Sequence, residues 1–181
     1  MKTYISILRG INVGGRNAVK MDALREMYCR LSFSDVQSYI QSGNVIFRTE
    51  ETDTKSLEKS ISAEIVKTFD CEIPVLVLER EEWRNALKNN TFLKDSSKNP
   101  DFIHLTFLSK FPDKILTDKI SNVNYPPDEF CFGNSVIYLY CPNGYGNTKL
   151  SNTFFERKLK LTATTRNLKT SKELLALADL K

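Results

Sequence analysis

Val36-Gln37-Ser38-Tyr39-Ile40-Gln41-Ser42-Gly43-Asn44-Val45-Ile46-Phe47 is the stretch on which the fold turns. Two runs rich in β-branched and aromatic residues, Val36–Ile40 and Val45–Phe47, flank a polar Gln-Ser-Gly-Asn tip, which is the signature of a β-hairpin. Upstream, Thr3–Leu8 reads as a strand. After it, Met21, Leu24, Met27, Tyr28 and Leu31 recur at helical spacing. Downstream, Asp53 or Thr54 can cap a helix whose apolar ridge is Leu57, Ile61, Ile65 and Phe69. Ile73–Leu78 is then a strand whose Pro74 suits a first residue or a sheet edge. A hairpin enclosed by two helices and two outer strands gives the order βαββαβ, the ferredoxin-like pattern.

The same order recurs further along. Glu81–Lys88 is a helix with Trp83 and Leu87 on one side, followed by Asn99-Pro100. Phe102–Leu108 is a strand, and Pro112–Val123 a helix opened by its proline. Phe130–Phe132 and Val136–Tyr140 form a second hairpin around a Gly133-Asn134 turn. Capping boxes at Thr153-x-x-Glu156 and Thr170-x-x-Glu173 start two more helices, with Leu161–Thr165 an edge strand between them. The expectation is an α+β protein of two ferredoxin-like subdomains with antiparallel sheets. Residues 1–78 form the first, 79–101 a linker helix, and 102–181 the second together with a terminal helix.

Composition narrows the class. A chain of 181 residues with 41% hydrophobic and 27% charged residues can bury a real core. The N-terminal MKTYISILRG lacks the apolar run and cleavage site of a signal peptide, and no apolar stretch approaches the length of a membrane span. These features point to the cytoplasm, with no membrane partner. Cys29, Cys71, Cys131 and Cys141 have no ligand-like spacing and read as reduced, buried thiols. A two-residue turn at Gly133-Asn134 sets Cys131 opposite Val136, out of bridging reach of Cys141. With one histidine and scattered cysteines, the chain has the parts of neither a zinc site nor a Ser-His-Asp triad. The net charge of +4 permits an anionic partner without demanding one.

In a βαββαβ fold the first strand–helix loop and the hairpin tip lie at one end of the sheet. Arg9–Asn17 should therefore neighbour Gln41–Asn44. By the same logic Pro142–Lys149 should neighbour Thr164–Asn167. Both clusters combine Gly, Asn, hydroxyls and a cation. Glycines at 10, 14 and 15 permit left-handed backbone and converging N–H groups. Arg9 and Arg16 offer forked donors that match a phosphate or carboxylate. The candidate ligand-binding residues are Arg9, Asn12, Gly14, Gly15, Arg16, Gln41, Ser42 and Asn44, with Arg166 and Asn167 from the second half. The bland reading is that Gly and Asn serve turns. The run GINVGG matches neither nucleotide-cradle pattern, so no cofactor is assigned.

Other polar residues read as structural. His104 alternates with core positions in its strand, Glu79–Glu82 suits a helix start, and Asp22 and Glu26 an exposed helix face. Tyr39, Tyr138, Tyr140 and Phe130 could stack bases on a sheet, but they read better as core.

Leu8–Gly15 (LRGINVGG), Lys20-Met21 with Leu24, Tyr39–Phe47 (YIQSGNVIF) and Thr164–Thr170 (TTRNLKT) resemble the motifs of bacterial domain-of-unknown-function family 1697. The chain departs from them at Leu168, where the family usually has tryptophan, and at Leu31-Ser32-Phe33, where a glycine usually precedes the aromatic. The resemblance implies a cytoplasmic α+β protein of two ferredoxin-like subdomains and brings no activity, cofactor or catalytic residue. The residues themselves favour a binding protein for a phosphate-bearing ligand such as a nucleotide or nucleic acid. The alternatives are an enzyme acting on a phosphorylated small molecule, which lacks an evident general base, and polar loops that are purely structural.

Overall fold

The computed structural model describes residues 1–15 and 17–181. Element order in the first half is β1 (Lys2–Leu8), α1 (Met21–Arg30), β2 (Ser34–Tyr39), β3 (Asn44–Thr49), α2 (Thr54–Phe69) and β4 (Val75–Glu79). The strands form an antiparallel sheet in the order β2-β3-β1-β4. After α3 (Arg80–Lys88) the second half repeats the scheme as β5 (Ile103–Leu108), α4 (Lys114–Ile120), β6 (Glu129–Phe132), β7 (Val136–Tyr140), α5 (Asn152–Leu159) and β8 (Ala163–Asn167). Its sheet runs β6-β7-β5-β8, again antiparallel. The chain ends in α6 (Leu168–Asp179). This is the expected pair of ferredoxin-like subdomains.

Each sheet buries one face under its own two helices. In the first unit Tyr4, Leu8, Val45, Phe47, Val75 and Val77 meet Leu24, Met27 and Tyr28 of α1 and Leu57, Ile61 and Ile65 of α2. The rings of Tyr28, Phe33 and Phe47 pack edge-to-face and stacked, with centroids between 4.5 and 6.0 Å apart. The second unit packs Leu108, Ile137, Leu139 and Ala163 against Ile120, Phe155 and Leu159. Ile5, Ile7 and Ile46 on the other face of the first sheet are buried too. Central strands buried on both faces read as apolar runs rather than clean alternation.

Compact units divide at other places than 78 and 102. Residues 1–84 cluster with 173–181, and residues 85–172 form the second unit. The terminal segment joins the first unit because the Arg84 guanidinium pairs with Asp179 at 3.2 Å, and Arg80 lies 3.8 Å from the same carboxylate.

Some helix starts also differ from expectation, each for a local reason. Asp53 caps α2 as expected, accepting from Lys55 and Ser56 N–H. Helix α4 begins behind Asp113, whose side chain accepts from Ile115 N–H at 2.8 Å, so Pro112 lies before the helix. Ser151 caps α5, while Glu156 reaches past the helix to accept from Ala163 N–H. Asn167 caps α6 by accepting from Thr170 N–H at 2.7 Å, placing the helix start three residues before the Thr170 box. The second hairpin pairs Cys131 with Tyr138, because Gly133 N–H bonds to Val136 O and the connection takes in residues 133–135. All four cysteines are free thiols, but only Cys141 is buried as expected; Cys71 and Cys131 are half-buried and Cys29 is exposed. Among the described residues no helix is long and apolar enough to cross a membrane.

Candidate functional site

The two polar segments of the first unit do meet. Leu8 N–H donates to Gly43 O at 2.8 Å, and Asn12 Nδ2 donates to Gln41 O at 2.9 Å. Contact is close enough to require glycine at 43. A Cβ there would lie 2.7 Å from Leu8 Cβ and 2.8 Å from Ile11 Cδ1, and the backbone stands at φ +71. The glycine of the hairpin tip is therefore a packing residue.

Asn12 and Asn44, expected to face a ligand, spend hydrogen bonds on the fold instead, Asn12 from an exposed position and Asn44 from a buried one. Asn12 Oδ1 accepts from Val19 N–H at 2.8 Å, while Nδ2 donates to Val19 O and Gln41 O, both at 2.9 Å. One carboxamide thus ties both ends of the loop to the hairpin. Asn17 adds a bond from Nδ2 to Gly10 O at 3.1 Å. Asn44 is fully buried, and its Nδ2 donates to Tyr39 O and Ser42 Oγ. Asn44 spends its amide hydrogens on the fold, as a buried amide must.

The loop keeps other chemistry on the outside. Gly10, Gly14 and Gly15 stand at φ +76, +57 and +75, with nothing within 4 Å of where a Cβ would sit. Glycine is required there by conformation, and open space lies beyond it. Arg9 is half-buried at the root of the loop, and its own N–H is bonded to Pro74 O. Gln41 is exposed and Ser42 half-buried. Lys20, at the end of the loop, is exposed and precedes α1, whose N-terminus has no side-chain cap. Arg16, the remaining candidate here, falls outside the described residues.

In the second unit the expected neighbours also meet, around a hydroxyl. Thr165 Oγ1 donates to Asn152 Oδ1 at 2.7 Å and accepts from Tyr145 OH at 3.0 Å, with Thr106 Oγ1 also 2.7 Å away. A hydroxyl has one hydrogen and two lone pairs, so this hub is fully used. Tyr145 stacks on His104 with ring centroids 5.1 Å apart, and His104 Nδ1 lies 3.1 Å from Phe102 O. That contact makes Nδ1 the protonated nitrogen of the neutral ring, and burial lowers the imidazole below its ordinary value. Arg166 Nη1 donates to Thr165 O at 2.9 Å. Burial pulls its guanidinium down to about 10, opposed by the nearby Tyr145 oxygen, so it stays cationic at neutral pH. Asn167, read from the sequence as a ligand residue, uses Oδ1 as the α6 cap. The sequence had pointed to the cluster but not to His104, Thr106 and Asn152. Their only signal was a position opposite Asn167 and Thr165 in the β5–β8 register or on the adjoining helix.

A shallow groove between α1 and β2 is lined by Asp22, Arg25, Glu26, Cys29, Arg30 and Val36. Its two arginines are engaged: Arg25 pairs with Asp22 and reaches Ser38 Oγ, and Arg30 approaches Glu64 and Thr68 of α2. Among the described residues, no cluster of His, Cys, Asp and Glu could hold a metal ion.

In overall architecture the chain is similar to a conserved bacterial protein from Streptococcus pneumoniae. The TM-score is 0.71 and the identity 23%, over 98% of each chain. This likeness concerns the fold. No curated protein matches. A family model described as "Protein of unknown function (DUF1697)" matches residues 1–138, which include both segments of the first-unit site. The chain belongs to that family.

Proposed function

We propose that the chain is a binding protein for a phosphate-bearing ligand, seated on the loop of residues 9–20 in the first unit. The observation that carries this reading is a loop braced from within and open without. Asn12 fixes its path through three hydrogen bonds, while Gly10, Gly14 and Gly15 present left-handed backbone to open space. A surface already held in shape binds without the entropic cost of ordering it. Arg9 and Lys20 bring positive charge to the two ends of the loop, and the sequence adds Arg16. The uncapped N-terminus of α1 contributes further positive potential. Gln41 and Ser42 are placed to orient a polar group beside the charge. Four free thiols suit a reducing compartment, so we place the activity in the cytoplasm.

The test is a titration with sulfate, nucleotides and short single-stranded RNA across salt concentrations, with Arg9→Ala beside the wild type. Arg9→Ala should weaken binding by about tenfold, the loss of one charge-assisted contact, and should flatten the salt dependence. A wild type that binds none of these anions ends the proposal.

A further inference from the structure

Two exposed aliphatic side chains stand at the anion-friendly loop and its neighbouring hairpin, and neither is among the residues of the first unit's core. Val13 is 64% exposed and Ile40 51% exposed. They flank one hydrogen bond, since Val13 follows Asn12 and Ile40 precedes Gln41, and Asn12 Nδ2 donates to Gln41 O. That bond brings together the two chain segments that carry them. Ile40 also sits at φ +49. A β-branched residue is among the least suited to that region, where Asn or Gly would sit without strain. An isoleucine that is both strained and half in water serves neither local conformation nor the core. Resting on the anion reading above, we infer that the ligand carries a planar, weakly polar ring next to its phosphate, as a nucleotide does. The ring lies on Val13 and Ile40 while the phosphate meets the glycines and Arg9.

The chemistry of the segment fits that occupant. Val13 and Ile40 offer exposed apolar surface, and Arg9 and Lys20 lie in the same short stretch of chain as Val13. A wholly polar anion would leave both side chains wet and gain nothing from them.

The full chain is titrated with AMP, ribose 5-phosphate, inorganic phosphate and a short oligoadenylate. Val13→Ser and Ile40→Asn are the variants. Asn accepts the left-handed backbone, so Ile40→Asn removes the apolar face while relaxing the turn, and Val13→Ser alters an exposed position only. AMP should bind wild type more tightly than ribose 5-phosphate. Either variant should weaken AMP by about tenfold and leave ribose 5-phosphate unchanged, as expected when apolar contact alone is lost. Tighter binding of oligoadenylate than AMP, lost in the same variants, supports the same surface and names a polynucleotide as the source of the ring. Equal binding of AMP and ribose 5-phosphate, or variants that weaken both alike, overturns the ring contact while leaving the anion site standing. Absence of binding by every probe overturns both.

Discussion

The two units share a frame down to single hydrogen bonds and part company where the frame ends. Leu8 N–H bonds to Gly43 O at 2.8 Å in one, and Leu108 N–H to Ser135 O at 2.9 Å in the other. The next residue does the same: Arg9 N–H meets Pro74 O at 3.0 Å, and Ser109 N–H meets Thr162 O at 2.9 Å. From these matched points the first unit continues through residues 9–20 in a glycine loop braced by asparagine, whereas the second passes through 109–113 to a helix capped by Asp113. Topology alone therefore asks for a short capped connection. The first unit's loop is an addition the fold does not require, which favours a functional role for it.

If close approach falls at Gly43 in the first unit's hairpin tip and at Gly133, not at the matched Ser135, in the second's, substitutions at Gly43 and Ser135 should separate them. Gly43→Ala places a Cβ against Leu8 and Ile11 at a left-handed φ, and both the clash and the strain must be absorbed. It should cost about 2–4 kcal/mol in chemical denaturation, the sum of an overpacking and a backbone penalty. Ser135→Ala, at the matched position, should stay within about 0.5 kcal/mol, as surface changes usually do. Equal effects at the two positions would break the comparison.

How much of this was legible in the sequence depends on which atoms decide the question. Element order came through because hydrophobic period depends on residue type alone, and the hairpin Val36–Phe47 with its flanking helices was enough to fix the topology. The meeting of loop and hairpin tip followed from topology without any side-chain detail. Caps were less legible, since Asp113, Ser151 and Asn167 each compete with a neighbour of equal chemistry, and the winner is set by where the strand releases the chain. The asparagines were hardest. A carboxamide can face a ligand or brace a loop, and only the directions of Oδ1 and Nδ2 show that Asn12 and Asn44 do the latter. His104, read as alternating with core positions, gave no sign of its stack on Tyr145, because that partner comes from a segment distant in sequence.

The middle of each central strand gives the next contrast. Ser6 in β1 and Thr106 in β5 stand two residues before the matched leucines. Ser6 Oγ meets Tyr28 OH at 2.7 Å and keeps a second contact at 3.3 Å to Val45 O. Thr106 instead joins the Thr165 hub with Tyr145 and Asn152. Thr165→Val strands several partners at once and should cost about 2–3 kcal/mol, since each buried group left unmade carries its own desolvation penalty. Tyr28→Phe leaves Ser6 its carbonyl and should cost about 1 kcal/mol. Thermal or denaturant unfolding of the two variants in parallel checks the ranking, and the reverse order would show that the second network is looser than its geometry implies.

The smallest expected effect concerns the residues four before those leucines, Tyr4 and His104. Tyr4 OH donates to Glu51 O and has no charge change near neutrality. His104 is the one imidazole in the chain. Its folded pKa lies below the ordinary value of 6.5 because burial beside Tyr145 disfavours the charged ring. As pH falls, the unfolded chain takes up this proton first. Stability contributed by the neutral ring is therefore full above about pH 6.5 and is lost as pH drops towards the folded value. His104→Gln keeps a group able to bond Phe102 O and removes the titration. Between about pH 7.5 and about 5.5, wild type should lose more stability than this variant, the carboxylates being ionised throughout that window. Parallel slopes for the two proteins would mean that the ring is solvated in the folded state and that the second unit's cluster is open to water at that edge.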